Sequence, residues 1–296
     1  MVSVNIAFAH HKGGTGKTTS CINISGYLAL WGKKVLVIDL DPQANATSGL
    51  GIDKSSIGES MYDVMVGDVK IEDAVLETEI ENIQLAPATF DLVGAESYLY
   101  RTNNRISTLK RSIEGIRKYY DFIMIDTPPG PGLLIINGVA ASDYTIVTLD
   151  PSVFALEGIE TLSTIFNDIN ESSGIEINPR LAILTRCSKA SLFSRIAGKR
   201  DPVKEIKKGM KEVFDSVYTV PYGVEVYEAQ LKGVPISHYK PRCKAGVAYK
   251  RIAEWGVRSA ECGMRNAECG MRDTRGDVKS RENLCNLVVI KKEEVR

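Results

Sequence analysis

Short apolar runs, each bounded by polar or glycine-rich residues, recur along the chain and predict buried β-strands. They are Val4–Ala9, Val35–Ile38, Ile83–Pro87, Tyr120–Ile125, Tyr144–Leu149, Leu181–Thr185 and Val217–Tyr222. Between them, apolar residues spaced three and four apart predict amphipathic helices. These helices are Ser20–Leu30, Leu92–Tyr100, Arg105–Tyr119, Phe154–Ile169 and a segment near Ala245–Trp255. This alternation predicts one α/β domain with a doubly wound, mostly parallel sheet flanked by helices.

A glycine-rich segment separates the first predicted strand from the first predicted helix. Its residues are Lys12, Gly13, Gly14, Thr15, Gly16, Lys17, Thr18 and Thr19. Glycines allow a tight turn whose N–H groups point inward, and the helix that follows adds its positive dipole end. In such a loop Lys17 supplies a cation for the β- and γ-phosphates, and the Thr18 hydroxyl is placed to bind Mg²⁺. The segment therefore predicts nucleotide binding.

Carboxylates follow two of the predicted strands directly. Asp39 and Asp41 come after Val35–Ile38, and Asp126 comes after Tyr120–Ile125, just before a Pro-Pro-Gly turn. A single Asp at a strand end is often only a helix cap. Since ligands of open α/β sheets bind at the carboxyl ends of strands, these acids beside a phosphate loop favour a role with Mg²⁺ and water.

These segments carry a family resemblance. The general phosphate-loop pattern is not met, because position 11 is His11 instead of glycine, and a second lysine, Lys12, precedes the glycine pair. The segment instead resembles the deviant Walker A motif, KGGxGK[ST], of the ParA/MinD family of ATPases. Residues 39–49 resemble that family's switch I, Asp126 its Walker B aspartate, and residues 127–130 its switch II. The resemblance covers about residues 2–256 and implies a P-loop NTPase fold of the deviant Walker A class.

The resemblance also implies a mechanism. ATP and Mg²⁺ are the expected cofactors, with Thr18, Asp39 and Asp126 around the metal and Asp41 positioning the attacking water. Lys12 is expected to reach the nucleotide of a second subunit, so that ATP holds a homodimer together and slow, partner-stimulated hydrolysis dissolves it. Pro221 and Tyr222 are the expected nucleotide contacts near the adenine. The arginine that the family commonly carries after this proline is missing, and a Glu-Ala pair at 228–229 is expected to begin a helix.

Composition indicates the class of protein and its cellular compartment. The chain has 296 residues, of which 44% are hydrophobic and 25% charged, as in ordinary globular proteins. No stretch approaches the ~20 apolar residues of a membrane-spanning helix, and the first strand leaves no room for a signal peptide. The six cysteines form no CxxC pair. We therefore expect a reduced, cytoplasmic protein.

The net charge of zero hides an uneven distribution. Residues 1–179 carry a net charge of −11, whereas residues 180–258 carry +10. A basic segment of this size is typical of a protein with a polyanionic partner. Within it, several cations lie three or four residues apart, so one helix face can present them together as candidate DNA contacts. They are Arg200, Lys204, Lys207, Lys208 and Lys211.

Three functions remain open. The first is a ParA-type partition ATPase that binds DNA without sequence preference as an ATP dimer, associates with the nucleoid and is released by an adaptor of ParB type. The second is a MinD-like ATPase that cycles on membranes, which requires an amphipathic C-terminal helix. The third is a metal- or electron-carrier ATPase, which requires cysteines that bridge the dimer. We rank them in that order and regard a membrane as an unlikely partner.

The family resemblance does not extend to the last part of the sequence. We expect an ATPase domain at residues 1–257 and a flexible extension at 258–296. A seven-residue sequence beginning at Ala260 is repeated almost unchanged from Ala267, and the glycine in each copy disfavours a helix.

Overall fold

The computed structural model describes residues 3–151, nine isolated or paired positions between 159 and 177 and, continuously, residues 179–188, 202–211 and 214–268. The nine positions are 159, 161, 162, 164, 166, 167, 170, 171 and 177. Of residues 202, 205 and 262–268 only the backbone is described. Most of the predicted helix Phe154–Ile169, the DNA-contact candidate Arg200 and the chain beyond 268 lie outside these ranges.

Eight strands in the described part of the chain form one sheet, in the order β3-β4-β2-β5-β1-β6-β7-β8. All neighbours run parallel except β3 and β4. The strands are β1 Val4–Ala9, β2 Val35–Asp39, β3 Leu76–Glu77, β4 Ile83–Ala86, β5 Phe122–Asp126, β6 Tyr144–Leu149, β7 Pro179–Cys187 and β8 Ser216–Pro221. The predicted doubly wound, mostly parallel sheet is confirmed. Its central strands are continuous apolar runs because both faces of a parallel sheet are covered.

Helices cover both faces of this sheet. The α-helices are Lys17–Leu30 (α1), Asn45–Gly49, Met61–Val66, Ile71–Ala74, Leu92–Leu99, Thr108–Ile113, Leu133–Ala140, Pro202–Met210, Val224–Leu231, Ile236–Tyr239 and Lys244–Glu268. Short 3₁₀ turns lie at Lys54–Ser56 and Arg117–Tyr119. Successive residues of β1 enter opposite cores: Ala7 packs on one side of the sheet, and Phe8 on the other with α1. The domain is therefore a three-layer sandwich.

Two helix predictions were wrong in their bounds. The predicted single helix Arg105–Tyr119 is an α-helix at Thr108–Ile113 and a 3₁₀ turn at Arg117–Tyr119. Gly115, a weak helix former, lies between them. The Glu-Ala pair at 228–229 does not begin a helix either, since that helix starts at Val224 and buries Ala229 in its interior.

The expectation of a flexible chain from residue 258 was wrong for its first eleven residues. The helix that begins at Lys244 continues to Glu268 and so runs through the first copy of the repeat. Ala260 is 6% exposed and belongs to the same core cluster as α1, and Val257 packs against that cluster. Tertiary packing of this face outweighs the cost of glycine in the helix, which is only about 1 kcal/mol per residue.

The topology brings the carboxyl ends of β2, β5 and β1 side by side. Asp39 at the end of β2 is directly opposite Asp126 at the end of β5, and Asp126 is also opposite Phe8 of β1. The glycine-rich loop leaves β1 at the same edge of the sheet. Among the described residues, no helix is long and apolar enough to cross a membrane.

Candidate functional site

The glycine-rich loop between β1 and α1 has the backbone that its glycines predict. Gly14 and Gly16 have φ angles of 73° and 89°, a left-handed conformation that other residues rarely adopt. A Cβ on Gly16 would also lie 2.9 Å from the Thr185 side chain. α1 begins at Lys17, immediately after the loop. The loop therefore presents backbone N–H groups and a helix N-terminus to the same space, as a phosphate requires.

Lys17 lies inside this loop. Its side chain is buried, and its Nζ donates to the carbonyl oxygens of His10 and Lys12, at 3.2 Å each. Burial lowers the pKa of Lys17, while the carboxylates of Asp126 and Asp41 raise it. Those two carboxylates offset part of the cost of holding the ammonium out of water, and the cation remains available at the centre of the loop.

His10 contacts the phosphate loop through a hydrogen bond with Lys12. Its buried ring accepts a hydrogen bond at Nδ1 from the backbone N–H of Lys12, at 2.9 Å, and stacks on His11 with ring centroids 4.7 Å apart. Burial, followed by the charges of His11, Lys17 and Lys12, lowers the pKa of His10 to about 3. The ring is therefore neutral, and its tautomer carries the proton on Nε2.

Asp126 is the buried acid of the site. It is fully buried, and neither carboxylate oxygen has a hydrogen-bond partner of normal geometry among the described residues. Burial and the neighbouring Asp39 raise its pKa well above the usual range, whereas the Thr18 hydroxyl and Lys17 lower it. A carboxylate without a partner beside a threonine hydroxyl fits a Mg²⁺ ion that would also bind the phosphates of a nucleotide.

Asp39 differs from Asp126 although the two lie opposite each other. Its Oδ1 accepts from the Asp41 N–H at 3.1 Å, and its Oδ2 accepts from both the N–H and the hydroxyl of Thr47, at 2.8 Å each. Burial raises the pKa of Asp39 to about 6, against the lowering effect of these hydrogen bonds. Asp39 therefore positions the loop from Leu40 to Thr47, and Asp126 is the better candidate for a direct metal ligand.

The turn after Asp126 is tied to the phosphate loop. The Thr127 hydroxyl donates to the carbonyl of Phe8 at 2.6 Å, and the Gly130 N–H donates to the carbonyl of His11 at 2.8 Å. Gly130 has a φ of 106°, which only glycine adopts readily. These two hydrogen bonds link residues 127–130 to the phosphate loop and are compatible with the predicted switch II role.

A cavity of about 610 Å³ opens beside this loop. This volume is within the range of pockets for small molecules and cofactors. Of the predicted site residues, the following line it: Gly13, Gly14, Gly16, Lys17, Thr18, Thr19, Asp41, Pro221 and Tyr222. Lys12, Thr15, Asp39 and Asp126 do not line it. Lys12 is exposed, and Thr15 is buried with its hydroxyl 3.0 Å from that of Thr148.

Other lining residues were missed by sequence reasoning. Thr185 and Arg186 come from the end of β7, Gln230 comes from the helix Val224–Leu231 and Tyr249 comes from the long C-terminal helix. Gln230 Nε2 donates to the Thr19 hydroxyl at 3.0 Å. The position of Thr185 and Arg186 at the end of a predicted parallel strand was a usable signal. Nothing in the sequence distinguished Gln230 or Tyr249.

The four described DNA-contact candidates lie on and just after the helix Pro202–Met210. Val203, Ile206 and Met210 pack towards the core from this helix. Lys204, Lys208 and Lys211 are exposed and Lys207 is half-buried. The predicted common face of lysines is therefore compatible with the way in which this helix is packed.

The described residues contain no group of three His, Cys, Asp or Glu side chains that could hold a metal ion. Among the described side chains, Cys21, Cys187 and Cys243 form no disulfide. Cys21 is buried beside the site, and burial, Asp126 and Asp39 raise its pKa.

Comparison with known proteins agrees with this geometry. A family model described as an AAA domain matches residues 3–183. The chain is 36% identical over 252 residues to the sporulation initiation inhibitor protein Soj of Bacillus subtilis, covering 84% of this chain and 96% of Soj. It is 35% identical to the chromosome partitioning protein ParA of Caulobacter vibrioides, covering 84% of this chain and 91% of that protein.

Solved structures give the same fold with a nucleotide in place. The septum site-determining protein MinD of Pyrococcus horikoshii, complexed with Mg-ADP, is 26% identical with a TM-score of 0.70. The match covers 87% of this chain and 97% of MinD. These matches support ATP and Mg²⁺ as the ligands of the cavity.

Proposed function

Because this chain belongs to the ParA/MinD family of ATPases, we propose that it is an ATP-dependent switch that positions DNA or another intracellular cargo. Its ATP form is a homodimer that binds DNA without sequence preference, and hydrolysis returns it to the monomer. The observation that carries the proposal is the phosphate loop with the buried Asp126 beside it and Asp41 on the cavity wall.

Different residues of the site have different roles in the proposed hydrolysis. Lys17 and the loop N–H groups would bind the phosphates, and Thr18 and Asp126 would hold Mg²⁺, which would neutralise charge on the phosphate oxygens. Asp41 is 7% exposed on the cavity wall, and its Oδ1 accepts from the Gln43 N–H at 2.9 Å. This hydrogen bond fixes the carboxylate where it can orient a water against the terminal phosphate.

Two variants test the switch. Asp41→Ala should bind ATP but hydrolyse it poorly, and so accumulate as a dimer, because the loop N–H groups and Lys17 that bind the phosphates are retained while the group that orients water is lost. Lys17→Ala should lose nucleotide and remain monomeric. The measurement is light scattering with ATP and Mg²⁺. An oligomeric state that ignores nucleotide in the wild type and in both variants contradicts the switch.

DNA binding is supported by the lysine face of the helix Pro202–Met210. Contacts to phosphate dominate non-specific binding, so affinity should fall steeply with salt. Because a dimer presents this face twice, binding should require ATP. Triple replacement by Glu at Lys204, Lys207 and Lys208 should abolish DNA binding and leave basal ATPase intact. The control carries the same change of charge on exposed lysines elsewhere, at Lys70, Lys110 and Lys118.

The same experiment separates partition from membrane cycling. ATP-loaded protein is mixed with duplex DNA at low salt and, separately, with anionic liposomes. Sedimentation with liposomes and indifference to DNA would replace the partition proposal by the membrane-cycling one. We further propose that turnover is slow and stimulated by an adaptor of ParB type, and that the protein is cytoplasmic and associates with the nucleoid when ATP is bound.

A further inference from the structure

Arg186 has an unusual backbone for its position at the end of β7. Its φ is 51°, and Ala44 and Asn82 are the other non-glycine residues with positive φ among those described. A bulky side chain rarely adopts this conformation, and it persists only where the surroundings impose it. Such positions are concentrated at ligand sites.

The residues on both sides of Arg186 are held firmly. The Thr185 hydroxyl is 2.9 Å from the carbonyl oxygen of Thr15 in the phosphate loop and 3.2 Å from that of Leu149. Cys187 is opposite Pro221 of β8, and its carbonyl accepts from the Tyr222 N–H at 3.2 Å. The ladder between β7 and β8 shifts register between Leu184 and Cys187. Such an irregularity re-aims the side chain that lies within it.

The re-aimed side chain lines the nucleotide cavity. Arg186 shares this wall with Tyr222, which is 70% exposed. A guanidinium nitrogen of Arg186 is 3.8 Å from a carboxylate oxygen of Asp150, and both side chains are partly open to solvent. A planar cation and an aromatic ring, both accessible to solvent, therefore lie on adjacent strand ends at the cavity wall.

The place of β7 in the sheet indicates which part of the nucleotide Arg186 meets. β7 is two strands away from β1, which leads into the phosphate loop. Neighbouring strands are about 4.8 Å apart, so the end of β7 is roughly 10 Å across the sheet from the end of β1. The phosphates already have Lys17 and the loop N–H groups, and the nucleoside must extend away from them.

We propose that Arg186 is a base-specificity residue, whose guanidinium plane stacks on the nucleobase of bound ATP beside Tyr222. Guanidinium groups stack readily on aromatic faces, and the larger face of a purine gains more than that of a pyrimidine. This inference rests on nucleotide binding alone and does not depend on dimerisation or DNA binding. If the wild-type protein binds ATP but never dimerises, the proposed switch is refuted, whereas the role of Arg186 is not.

Arg186→Gly is the suitable test, because glycine adopts the observed φ without strain and only the side chain is lost. Affinities for ATP, CTP and inorganic tripolyphosphate are measured by calorimetry in the presence of Mg²⁺. ATP affinity should fall about 3- to 30-fold, in line with cation–π stacking at partly to fully desolvated sites. CTP affinity should fall less, and tripolyphosphate affinity should not change.

Two further variants make the result unambiguous. Arg186→Lys keeps the charge but not the guanidinium plane, and should recover ATP affinity only in part. Arg101→Gly removes an exposed arginine outside the cavity and should bind all three ligands as the wild type does. Equal losses for ATP and tripolyphosphate, full rescue by lysine, or unchanged affinities throughout would each overturn the proposal. Thermal melting of every variant verifies that the fold is retained.

Discussion

The two buried aspartates of the site should respond in opposite ways to the same substitution. Asp126 has no hydrogen-bond partner among the described residues, whereas Asp39 accepts three hydrogen bonds from the backbone and from Thr47. Asp126→Asn removes a buried charge and its repulsion from Asp39, which together outweigh the attraction of the Thr18 hydroxyl and Lys17. Asp39→Asn puts an amide nitrogen where donors now point.

The expected magnitudes follow from these contacts. An unsatisfied buried polar group costs about 1–3 kcal/mol, and more when it is charged. Without nucleotide, Asp126→Asn should therefore stabilise the protein by about 1–3 kcal/mol, which raises Tm by roughly 2–10 °C in a domain of this size. Asp39→Asn keeps one acceptor oxygen but leaves the donors at the other position unpaired, either the Asp41 N–H or both donors of Thr47. It should destabilise by about 1–4 kcal/mol, after allowance for the charge that it removes.

Adding nucleotide should cancel or reverse the difference in Tm between Asp126→Asn and the wild type. At a concentration 100 times its Kd, Mg-ATP stabilises a protein by about 2.7 kcal/mol. The wild type should gain this stabilisation and lose most of it with EDTA, whereas Asp126→Asn should gain little in either condition because a metal ligand is missing.

The assay is thermal melting of the wild type and each variant with no ligand, with Mg-ATP and with ATP plus EDTA. Asp68→Asn, at an exposed acid away from the site, controls for loss of charge in general. The reasoning is refuted if Asp126→Asn melts below the wild type without ligand and still gains the full stabilisation from Mg-ATP.

Three further predictions concern neighbouring residues. Lys12→Ala should impair dimerisation or turnover but leave the nucleotide affinity of the monomer intact. A variant with wild-type ATPase activity would refute a role of Lys12 across the dimer. Mixing Lys12→Ala with Lys17→Ala subunits tests the geometry. Because the pKa of His10 is about 3 in the fold and 6.5 when unfolded, its share of stability is lost as pH falls below 6.5. Urea denaturation should show that the wild type loses about 2 kcal/mol more than His10→Asn between pH 8 and pH 5. Gly26→Ala should lower stability by about 1–3 kcal/mol in thermal melting, since its Cβ would lie 2.4 Å from that of Pro235.

Local chain geometry explains what the sequence determined about the site. The phosphate loop, the strand that precedes it and the helix that follows are contiguous, so residue order fixes their arrangement. The end-of-strand position of Asp39 and Asp126 likewise followed from two apolar runs that end in acid, because parallel strands place their carboxyl ends at one edge of a sheet. The doubly wound architecture followed from the alternation of strands and helices.

Tertiary structure decided what depends on neighbours in space. Asp39 and Asp126 look alike in the sequence, and only the position of Thr47 distinguishes the bonded acid from the one without a partner. Arg186 and Gln230 reach the cavity because the order of strands brings the end of β7 and the helix after β8 beside the phosphate loop. The continuation of the last helix through its glycines depends on contacts with α1, over two hundred residues earlier in the chain. Propensity and periodicity act over a few residues, whereas burial and hydrogen bonding are set by which distant segments the fold brings together.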